Sequence, residues 1–506
     1  MSRIMLVSLF VATLVASAYG SSYYPLITNE IHLIRPKSGS GGTPVNGLSC
    51  LSWRFGVETN NIINWKTVPL SCEDYIGHYM LGSQYRKDSK TINKEAFFHA
   101  SSLNISKNGN DAWVFDIDET TLSNLPYYAE NGFGAVPYNA TKFNEWVFTG
   151  NAPALPESLK LYNKLVNLGV KIVFITGRTE DQRDVTEANL KAVGYNTWDR
   201  LVLKHGKTAV EYKSAQRKKV EEDGYRIIGN SGDQWSDLLG TNIGLRTFKL
   251  PDPMYYIVAK VKGSDFPVIS NQIHLLRPQS GSGGGHVKGV SCLSWRYGVE
   301  TNSIINWKTI PVACEDYVGH YMLGDQYRKD SKAINDEAFL YVKTLNLSKN
   351  AANDVVWVFD IDETTLSNLP YYAQHGFGVE RFNATSFNEW VFTGKALALP
   401  ESLKLYKKLV RLKVKIVFLT GRTEDQRTVT ETNLRSVGYN SWDKLLLKGK
   451  NFVGKPAAEY KSAQRKILEK EGYKIIGNMG DQWSDLLGTN IGLRTFKLPD
   501  PMYYIS

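Results

Sequence analysis

An internal repeat without a single change constrains the fold of this chain most strongly. The fifteen-residue string VFDIDETTLSNLPYY begins at Val114 and recurs from Val358, 244 residues later. Both halves also close on the same string, LGTNIGLRTFKLPDPMYYI. This spacing is too long for a solenoid repeat and long enough for each copy to bury a core of its own. The sequence therefore predicts two complete domains in tandem.

The ends of these domains follow from composition. Residues 1–20 combine a basic residue, an apolar run and a small-residue stretch, which is typical of a secretory signal peptide that is too short to span a bilayer. Residues 258–265 form a short polar and charged join that fits a linker. We therefore predict a first domain over residues 21–257 and a second over 266–506, with no membrane span after signal cleavage.

Cysteine usage points to an oxidising compartment. Cys50 and Cys72 lie 22 residues apart, as do Cys292 and Cys314, and the chain has four cysteines. One disulfide inside each half is the simplest interpretation, and two buried free thiols per half are the alternative. We expect a protein of the secretory pathway, in the vacuole or the extracellular space.

Asn-x-Ser/Thr triplets agree with this route, because such triplets are glycosylated in secreted proteins. They predict glycosylation at Asn104, Asn139, Asn346 and Asn383. The net charge of +10 is spread over 506 residues, with acidic and basic residues interleaved. This pattern is typical of a solvated surface and does not indicate a nucleic-acid partner.

Three apolar segments of the first half predict buried strands, each followed by a polar cluster: residues 112–115, 170–175 and 225–228. A capping box at residues 179–182 begins a helix that should run to about Val193, and a charged helix should run from about Lys213 to Glu222. Alternating strands and helices predict a parallel, doubly wound α/β sheet, whose ligands gather at the carboxyl ends of the strands.

The residues at those strand ends suit phosphate chemistry. Asp116 and Asp118, which are separated by one residue, can divide the roles of nucleophile and acid. A carboxylate about 4 Å from a phosphate dianion is repelled by about 8 kcal/mol at an effective dielectric near 20, so cations are required. Asp233 and Asp237 offer the hard oxygen ligands that Mg²⁺ prefers. Lys213 lies 20 residues before Asp233 and supplies a fixed positive charge.

These residues carry a family resemblance. The set formed by DIDET at Asp116, Thr176 after a hydrophobic strand, Lys213 and GDQWSD at Gly232 resembles the four ordered motifs of the haloacid dehalogenase (HAD) superfamily. The continuations LSNLPYY and GDQWSDLLG are similar to its plant acid phosphatase and vegetative storage protein branch. The resemblance implies two tandem HAD-like Rossmann-type domains, each with a small cap.

The resemblance also implies roles for single residues. Asp116 is expected to form an aspartyl-phosphate, and Asp118 to protonate the leaving alcohol and then activate water. Thr176 and Lys213 are expected to hold the transferring phosphoryl group.

The metal implied by the resemblance is Mg²⁺. Its expected ligands are Asp116, the backbone carbonyl of Asp118 and Asp233, with Asp237 as direct or water-mediated support. The second half repeats the whole set at Asp360, Asp362, Thr420, Lys461, Asp481 and Asp485.

Some residues keep two interpretations. Lys204 and Lys448 are rival candidates for the phosphate-binding lysine, and the constant spacing to the following aspartate favours Lys213 and Lys461. Arg178 has the pattern of either a substrate contact or a surface ion pair. Four aromatic residues fit either a cap over the pocket or core packing: Tyr127, Tyr128, Trp146 and Phe148.

We therefore expect a Mg²⁺-dependent acid phosphatase that acts on small phosphomonoesters, with storage as a further role. The alternative is a non-enzymatic vegetative storage glycoprotein, because some storage members of the branch have replaced the nucleophile. Asp116 and Asp360 are both retained, which favours activity. Repulsion between the paired carboxylates further predicts that the pKa of Asp118 lies above its ordinary value near 3.9.

Overall fold

Each half of the chain is built on one parallel sheet in the computed structural model, which describes residues 48–106, 108–204, 208–257, 290–345, 347 and 354–505. The predicted signal peptide and linker lie outside these residues, as does Asn346. Within the described chain, no helix combines the length and the apolar character needed to cross a membrane.

The first half has these helices and strands: α1 Cys50–Glu58, α2 Glu73–Leu81, α3 Ser83–Ser102, β1 Asp111–Phe115, α4 Leu125–Glu130, α5 Ala140–Phe148, α6 Pro156–Asn167, β2 Lys171–Thr179, α7 Arg183–Ala192, β3 Arg200–Lys204, α8 Ala209–Glu222, β4 Arg226–Gly232, α9 Trp235–Leu238 and β5 Thr247–Lys249. Short 3₁₀ helices cover Leu70–Cys72, Gly132–Gly134 and Glu180–Gln182.

The second half repeats the order: α10 Cys292–Glu300, α11 Glu315–Leu323, α12 Asp325–Thr344, β6 Val355–Phe359, β7 Leu366–Ser367, α13 Leu369–Gln374, α14 Ala384–Phe392, β8 Leu397–Ala398, α15 Pro400–Arg411, β9 Lys415–Thr423, α16 Arg427–Ser436, β10 Lys444–Lys448, α17 Ala457–Lys470, β11 Lys474–Gly480, α18 Trp483–Leu486 and β12 Thr495–Lys497. Its 3₁₀ helices are Val312–Cys314, Gly376–Gly378, Glu424–Gln426 and Lys450–Phe452.

The strands form two equivalent five-stranded sheets, in the orders β3-β2-β1-β4-β5 and β10-β9-β6-β11-β12. All pairings within them are parallel. The short strands β7 and β8 form a separate antiparallel pair. The parallel α/β architecture expected for both halves is thereby confirmed.

The core follows from the alternation of side chains along the central strand. Trp113 and Phe115 of β1 belong to the apolar cluster that packs under α3 and α6, whereas Ala112 and Val114 belong to the cluster that packs under α8. Successive strand residues point to opposite faces, so a strand with apolar residues throughout requires helices on both faces. The doubly wound arrangement is a consequence of this pattern.

The structure refines the predicted elements. β1 begins one residue before the predicted strand, and the capping box at residues 179–182 is present. β2 continues to Thr179, so Thr176 lies inside the strand and not in a loop beyond it. α8 begins at Ala209, which places Lys213 in its second turn and not at its start. The strands β3 and β5 were missed because the first has charged ends and the second has three residues.

Disulfides join Cys50 to Cys72 and Cys292 to Cys314, which confirms the predicted pairs and excludes the free-thiol alternative. Each bond ties the start of the first helix of its half to the 3₁₀ turn that precedes the second helix. Three of the predicted glycosylation sites lie in the described chain and are exposed: Asn104, Asn139 and Asn383.

The two halves contact each other through reciprocal pairs. Gln84 donates a hydrogen bond to Ser294 at 3.0 Å, and Gln326 donates the equivalent bond to Ser52 at 3.0 Å. Tyr297 of the second half packs into the main core cluster of the first. Reciprocal contacts of this kind define an isologous interface about a two-fold axis. The tandem chain is therefore an internal pseudo-dimer.

One partly buried position differs between the halves in a way that affects pH dependence. His99 on α3 donates from Nε2 to the backbone carbonyl of Ile228 at 2.9 Å, and burial together with nearby Arg246 lowers its pKa from 6.5 to about 4. Tyr341 occupies the equivalent position and makes the equivalent bond, to Ile476 at 3.0 Å.

His99 should make the first half lose stability in acid. The unfolded chain binds a proton at His99 below about pH 6.5, but the folded chain does so only below about pH 4. The free energy of unfolding should therefore fall as pH drops through this window, by roughly 3 kcal/mol in full, since a tenfold change in proton affinity is worth about 1.4 kcal/mol. Urea unfolding at pH 7 and pH 4.5 measures the loss, and His99→Tyr should remove this component. An equal loss in His99→Tyr would contradict the assignment.

Candidate active site

The segment after β1 turns sharply and carries the first two predicted site residues. The backbone carbonyl of Ile117 accepts hydrogen bonds from the N–H groups of residues 120–122, which closes the turn. Glu119 within it has a φ of 53°, a left-handed conformation that is rare for a residue with a side chain. Strain of this kind persists only where the surroundings enforce it. The turn places Asp116 and Asp118 at the carboxyl edge of the sheet.

Lys213 reaches this edge from α8 and joins two carboxylates. Its Nζ lies 2.6 Å from Oδ1 of Asp116 and 2.6 Å from Oδ1 of Asp237. In the second half Lys461 makes the same two contacts, each at 2.5 Å. The rival Lys448 instead donates to the backbone carbonyl of its own loop, 3.0 Å away. The structure thus brings together the lysine and the aspartates that the spacing favoured.

Asp233 is fully buried and held on both carboxylate oxygens. Oδ1 accepts from the hydroxyl of Thr120 at 2.9 Å, and Oδ2 accepts from the hydroxyl of Tyr255 at 2.9 Å and from Gln234 at 3.0 Å. Equivalent bonds hold Asp481 in the second half. The carboxylate therefore has a fixed orientation, which suits a metal ligand.

Asp118 is bound by an arginine that the sequence left with two interpretations. Arg178 donates to Oδ1 of Asp118 from Nε at 3.1 Å and from Nη2 at 2.8 Å, and its Nη1 donates to the hydroxyl of Thr186 at 3.2 Å. The arginine side chain is buried, so its ion pair with Asp118 lies inside the site and not at the surface. Asn124 adds a further bond to Asp118 at 2.8 Å. In the second half Arg422 repeats this arrangement.

This ion pair overturns the expected pKa of Asp118. Burial alone raises the pKa, but the charge of Arg178 and its hydrogen bonds outweigh burial and lower the pKa of Asp118 below its ordinary 3.8. The expectation of a raised pKa was wrong because it considered repulsion from Asp116 and left out the cation 60 residues further along the chain.

The carboxylates of the site that do have a raised pKa are Asp116 and Asp233. Burial and then the neighbouring carboxylates raise the pKa of Asp116 well above 3.8, although Lys213 opposes them. Burial, Asp237 and Asp252 likewise raise the pKa of Asp233 well above 3.8. One carboxylate oxygen from each of Asp116, Asp233 and Asp237 lies within 4.8 Å of the others. Such a set of buried oxygens that repel one another fits a divalent cation.

The predicted phosphate-binding threonine lies at the same edge. Thr176 is buried near the end of β2, and its hydroxyl oxygen accepts from the backbone N–H of Arg178 at 3.1 Å. Thr420 makes the same bond to Arg422. The hydroxyl is therefore oriented by the same segment that supplies the arginine.

A glycine permits the close approach of Asp237. A Cβ added to Gly232 at the end of β4 would lie 2.4 Å from Cβ of Asp237 and 2.6 Å from its Oδ2. No real Cβ tolerates these distances. The glycine therefore allows the turn after β4 to fold back so that Asp237 reaches Lys213.

Several site residues were missed by sequence reasoning. Asn124 bonds both Asp118 and Glu119, and Tyr255 bonds Asp233. The sequence did contain a signal for both residues, because Asn124 lies in the fifteen-residue repeat and Tyr255 lies in the string that ends both halves. Repetition alone, however, does not separate site residues from core residues.

The structure separates the four aromatic residues for which the sequence allowed either a cap over the pocket or core packing. Tyr127 and Tyr128 are buried, and Tyr128 stacks on Tyr255 with ring centroids 5.5 Å apart. Trp146 on α5 donates to Asn124 at 2.9 Å and so ties the helical segment between β1 and β2 to the site. Phe148 is half exposed.

Comparison with known proteins agrees with this geometry. The model of the HAD superfamily, subfamily IIIB (acid phosphatase), matches residues 37–258 and 280–506. The chain belongs to this family. The predicted superfamily and the predicted enzyme class, a phosphoric monoester hydrolase, are confirmed.

Plant relatives each match about one half of the chain. Acid phosphatase 1 of Solanum lycopersicum is 49% identical over 215 residues, which are 42% of this chain and 84% of the relative. The stem 28 kDa glycoprotein of Glycine max is 48% identical over 255 residues, 49% of this chain and 96% of the relative. Vegetative storage protein 1 of Arabidopsis thaliana is 44% identical over 234 residues, 45% of this chain and 85% of the relative.

A solved structure is also similar. The class C acid phosphatase from Bacillus anthracis has 21% sequence identity and a TM-score of 0.31, over 40% of this chain and 87% of that chain.

Gly232 supplies a test of the site geometry. In a variant with Asp360→Asn, which we expect to confine turnover to the first half, Gly232→Ala should lower kcat about 100-fold, because displacement by about 1 Å costs this much. Hydrolysis of an aryl phosphate measures it. Gly177→Ala is the matched control, since an added Cβ there meets no atom within 4 Å. Equal rates in the two variants would show that the approach of Asp237 to Gly232 is not needed.

Proposed function

We propose that this protein is a Mg²⁺-dependent acid phosphatase that hydrolyses small phosphomonoesters through an aspartyl-phosphate. The observation that carries the proposal is the buried lysine that joins Asp116 to Asp237 and recurs at Asp360 and Asp485. A chain that only stored nitrogen would have no need to keep two buried charge clusters, because buried charge is costly.

The charge balance of the site supports a divalent cation. Each half places four aspartates against two cations, which in the first half are Lys213 and Arg178. The donors in these clusters are carboxylates, with neither histidine nor cysteine among them. Hard oxygen donors of this kind favour Mg²⁺ over zinc. We infer that Asp116, Asp233 and the backbone carbonyl of Asp118 hold the ion, with Asp237 in support.

The ion, when bound, supplies positive charge that lowers the repulsion between Asp116 and the phosphate dianion. Lys213 and Thr176 hold the transferring phosphoryl group. A carboxylate oxygen of Asp116 attacks phosphorus, the bond from phosphorus to the ester oxygen breaks, and Asp118 gives its proton to the leaving alcohol.

The second step returns the enzyme to its starting state. Asp118, now ionised, takes a proton from a water molecule, and the resulting hydroxide attacks phosphorus of the aspartyl-phosphate. The bond between phosphorus and the Asp116 oxygen breaks and inorganic phosphate leaves. Arg178 holds Asp118 in one orientation through both steps, since three of its hydrogen bonds reach this carboxylate.

A storage role and a secretory location belong to the same proposal. Relatives include stem glycoproteins and a vegetative storage protein, and the chain has two disulfides and exposed Asn-x-Ser/Thr sites. We propose glycosylation at the four predicted asparagines and delivery to the vacuole or the extracellular space. Storage does not exclude catalysis, because a stored protein can keep an intact site.

Metal removal tests the cofactor. Treatment with a chelator should abolish hydrolysis of an aryl phosphate, and Mg²⁺ should restore it, because buried carboxylates that repel one another need the cation. Zinc at the same concentration is the control and should restore less. Full activity in the metal-free protein would refute the metal assignment.

The two nucleophiles should act separately. Asp116→Asn should remove roughly half of the total activity and leave the second half working, because each site forms its own covalent intermediate. Asp360→Asn should do the converse, and the double variant should lose nearly all activity. Almost complete loss from either single substitution would show one shared site.

The proton donor should matter most for poor leaving groups. The double variant Asp118→Asn/Asp362→Asn should lower kcat/KM at least about 100-fold for an alkyl phosphate and much less for an aryl phosphate, because kcat/KM reports the step that releases the alcohol and general acid catalysis contributes this much where the leaving group is basic. Because Arg178 lowers the pKa of Asp118, the wild-type alkyl rate should keep rising as pH falls below neutral.

The matched variant replaces both arginines, Arg178→Gln/Arg422→Gln. Loss of the cation raises the pKa of the carboxyl, so the rise in alkyl rate should move to higher pH. Profiles of kcat/KM against pH for both substrates measure this. An alkyl profile that is flat, or that does not move, would show that Asp118 is not the proton donor.

A further inference from the structure

A pair of stacked tryptophans lies between the two sites. Trp235 is the first residue of α9, which follows Asp233 and contains Asp237. Its indole ring stacks on that of Trp483, with centroids 5.8 Å apart and an interplanar angle of 29°. Trp483 holds the same position in the other half. A residue that contacts its own equivalent lies on the two-fold axis that relates the halves. Both candidate sites therefore adjoin the axis.

A second connection runs through Glu58 at the end of α1. The indole N–H of Trp235 donates to the backbone carbonyl of Glu58 at 3.1 Å. The buried carboxylate of Glu58 accepts from Lys249 at 2.8 Å and from the hydroxyl of Tyr297, which belongs to the other half, at 3.1 Å. The residue that anchors Trp235 is thus itself held from across the interface.

The edge strands of both sheets are also bonded across the interface. The backbone N–H of Lys249 in β5 donates to Ser303 of the second half at 3.2 Å. The N–H of Lys497 in β12 donates to Asn61 of the first half at 2.8 Å, and the Asn61 amide donates back to the Lys497 carbonyl at 2.9 Å. Since β5 and β12 pair with the strands that lead into Asp233 and Asp481, these bonds support the same two turns.

We propose that each half positions the catalytic carboxylates of the other. Trp483 holds the turn 233–237 of the first site, and Trp235 holds the turn 481–485 of the second. Both are positioning residues, since they act on the site through these turns. The inference rests on the proposed phosphatase function and adds that the chain works as an obligatory pair of domains, although each site performs its own chemistry.

The test measures the first site while the change is made in the second half. In the full chain with Asp360→Asn, turnover comes from the first site alone. Trp483→Leu in this parent should lower kcat about tenfold or more, because small displacements of catalytic groups carry large losses. The Mg²⁺ concentration for half-maximal rate should rise, since two of the proposed ligands lie in the supported turn. Trp483→Phe keeps an aromatic ring and should keep most of the activity.

A second tryptophan of the same half gives the matched control. Trp442 packs on Phe418, with centroids 5.8 Å apart, within the core of the second half. Trp442→Leu in the Asp360→Asn parent should leave kcat and the Mg²⁺ requirement of the first site unchanged. The reciprocal experiment places Trp235→Leu in an Asp116→Asn parent, where kcat of the second site should fall.

Circular dichroism tests the stack without any activity. Two stacked indoles give an exciton couplet, and either Trp235→Phe or Trp483→Phe should remove this contribution from the spectrum, whereas the contributions of the Trp53–Trp65 and Trp295–Trp307 pairs should remain. Spectra of Trp235→Phe and Trp483→Phe that match the wild type, an unchanged first site in Trp483→Leu, or an equal loss in Trp442→Leu would each overturn the inference. An Asp360→Asn parent that hydrolyses no phosphomonoester with Mg²⁺ would instead overturn the proposed function.

Discussion

The buried ion pairs of Lys213 and Lys461 are the interaction on which the arrangement of each site depends. The lysine is held from α8 or its equivalent, and the two carboxylates that it joins come from turns after different strands. Burial lowers the pKa of Lys213, but Asp116 and Asp237 reverse this and keep the pKa above its ordinary value. The lysine therefore stays charged and can hold the two turns together. Burying a single partner alone would be strongly unfavourable, because an unpaired buried charge costs several kcal/mol.

The carboxylates of each site carry more negative charge than its lysine and arginine neutralise, and this excess indicates what the site binds. Beyond the lysine pairs, Arg178 balances Asp118, whereas Thr120, Gln234 and Tyr255, which donate to Asp233, are neutral. The remaining negative charge lies at the carboxyl edge of the parallel sheet, the position where α/β folds bind their ligands. A site of this charge favours a divalent cation and, with it, a phosphorylated substrate.

Duplication adds an interface between the two halves to the fold. The interface between the halves is isologous, and residues on its axis adjoin the turns that carry the candidate metal ligands. The halves are close copies but not identical at this interface. Tyr297 bonds Glu58, whereas Phe55 at the equivalent position has no hydroxyl. The Asn61 side chain makes two bonds to the backbone of Lys497, whereas the Ser303 side chain makes one to the backbone of Lys249. Each site is therefore contacted by the other half at equivalent positions, but the number of hydrogen bonds at these positions differs.

The sequence was sufficient to predict the duplication, the α/β class, a disulfide within each half and the candidate aspartates and lysine of each site, because repeated motifs and apolar strands that end in acids are local patterns. It did not determine the partner of Asp118, since Arg178 reaches it only when β1 and β2 pair, and so the pKa of Asp118 was expected to shift in the wrong direction. Nor did it indicate that Trp235 would meet Trp483, because a contact on a two-fold axis exists only after both halves have folded and packed. Charge balance and mutual support depend on distances between segments far apart in the chain, which the tertiary structure alone sets.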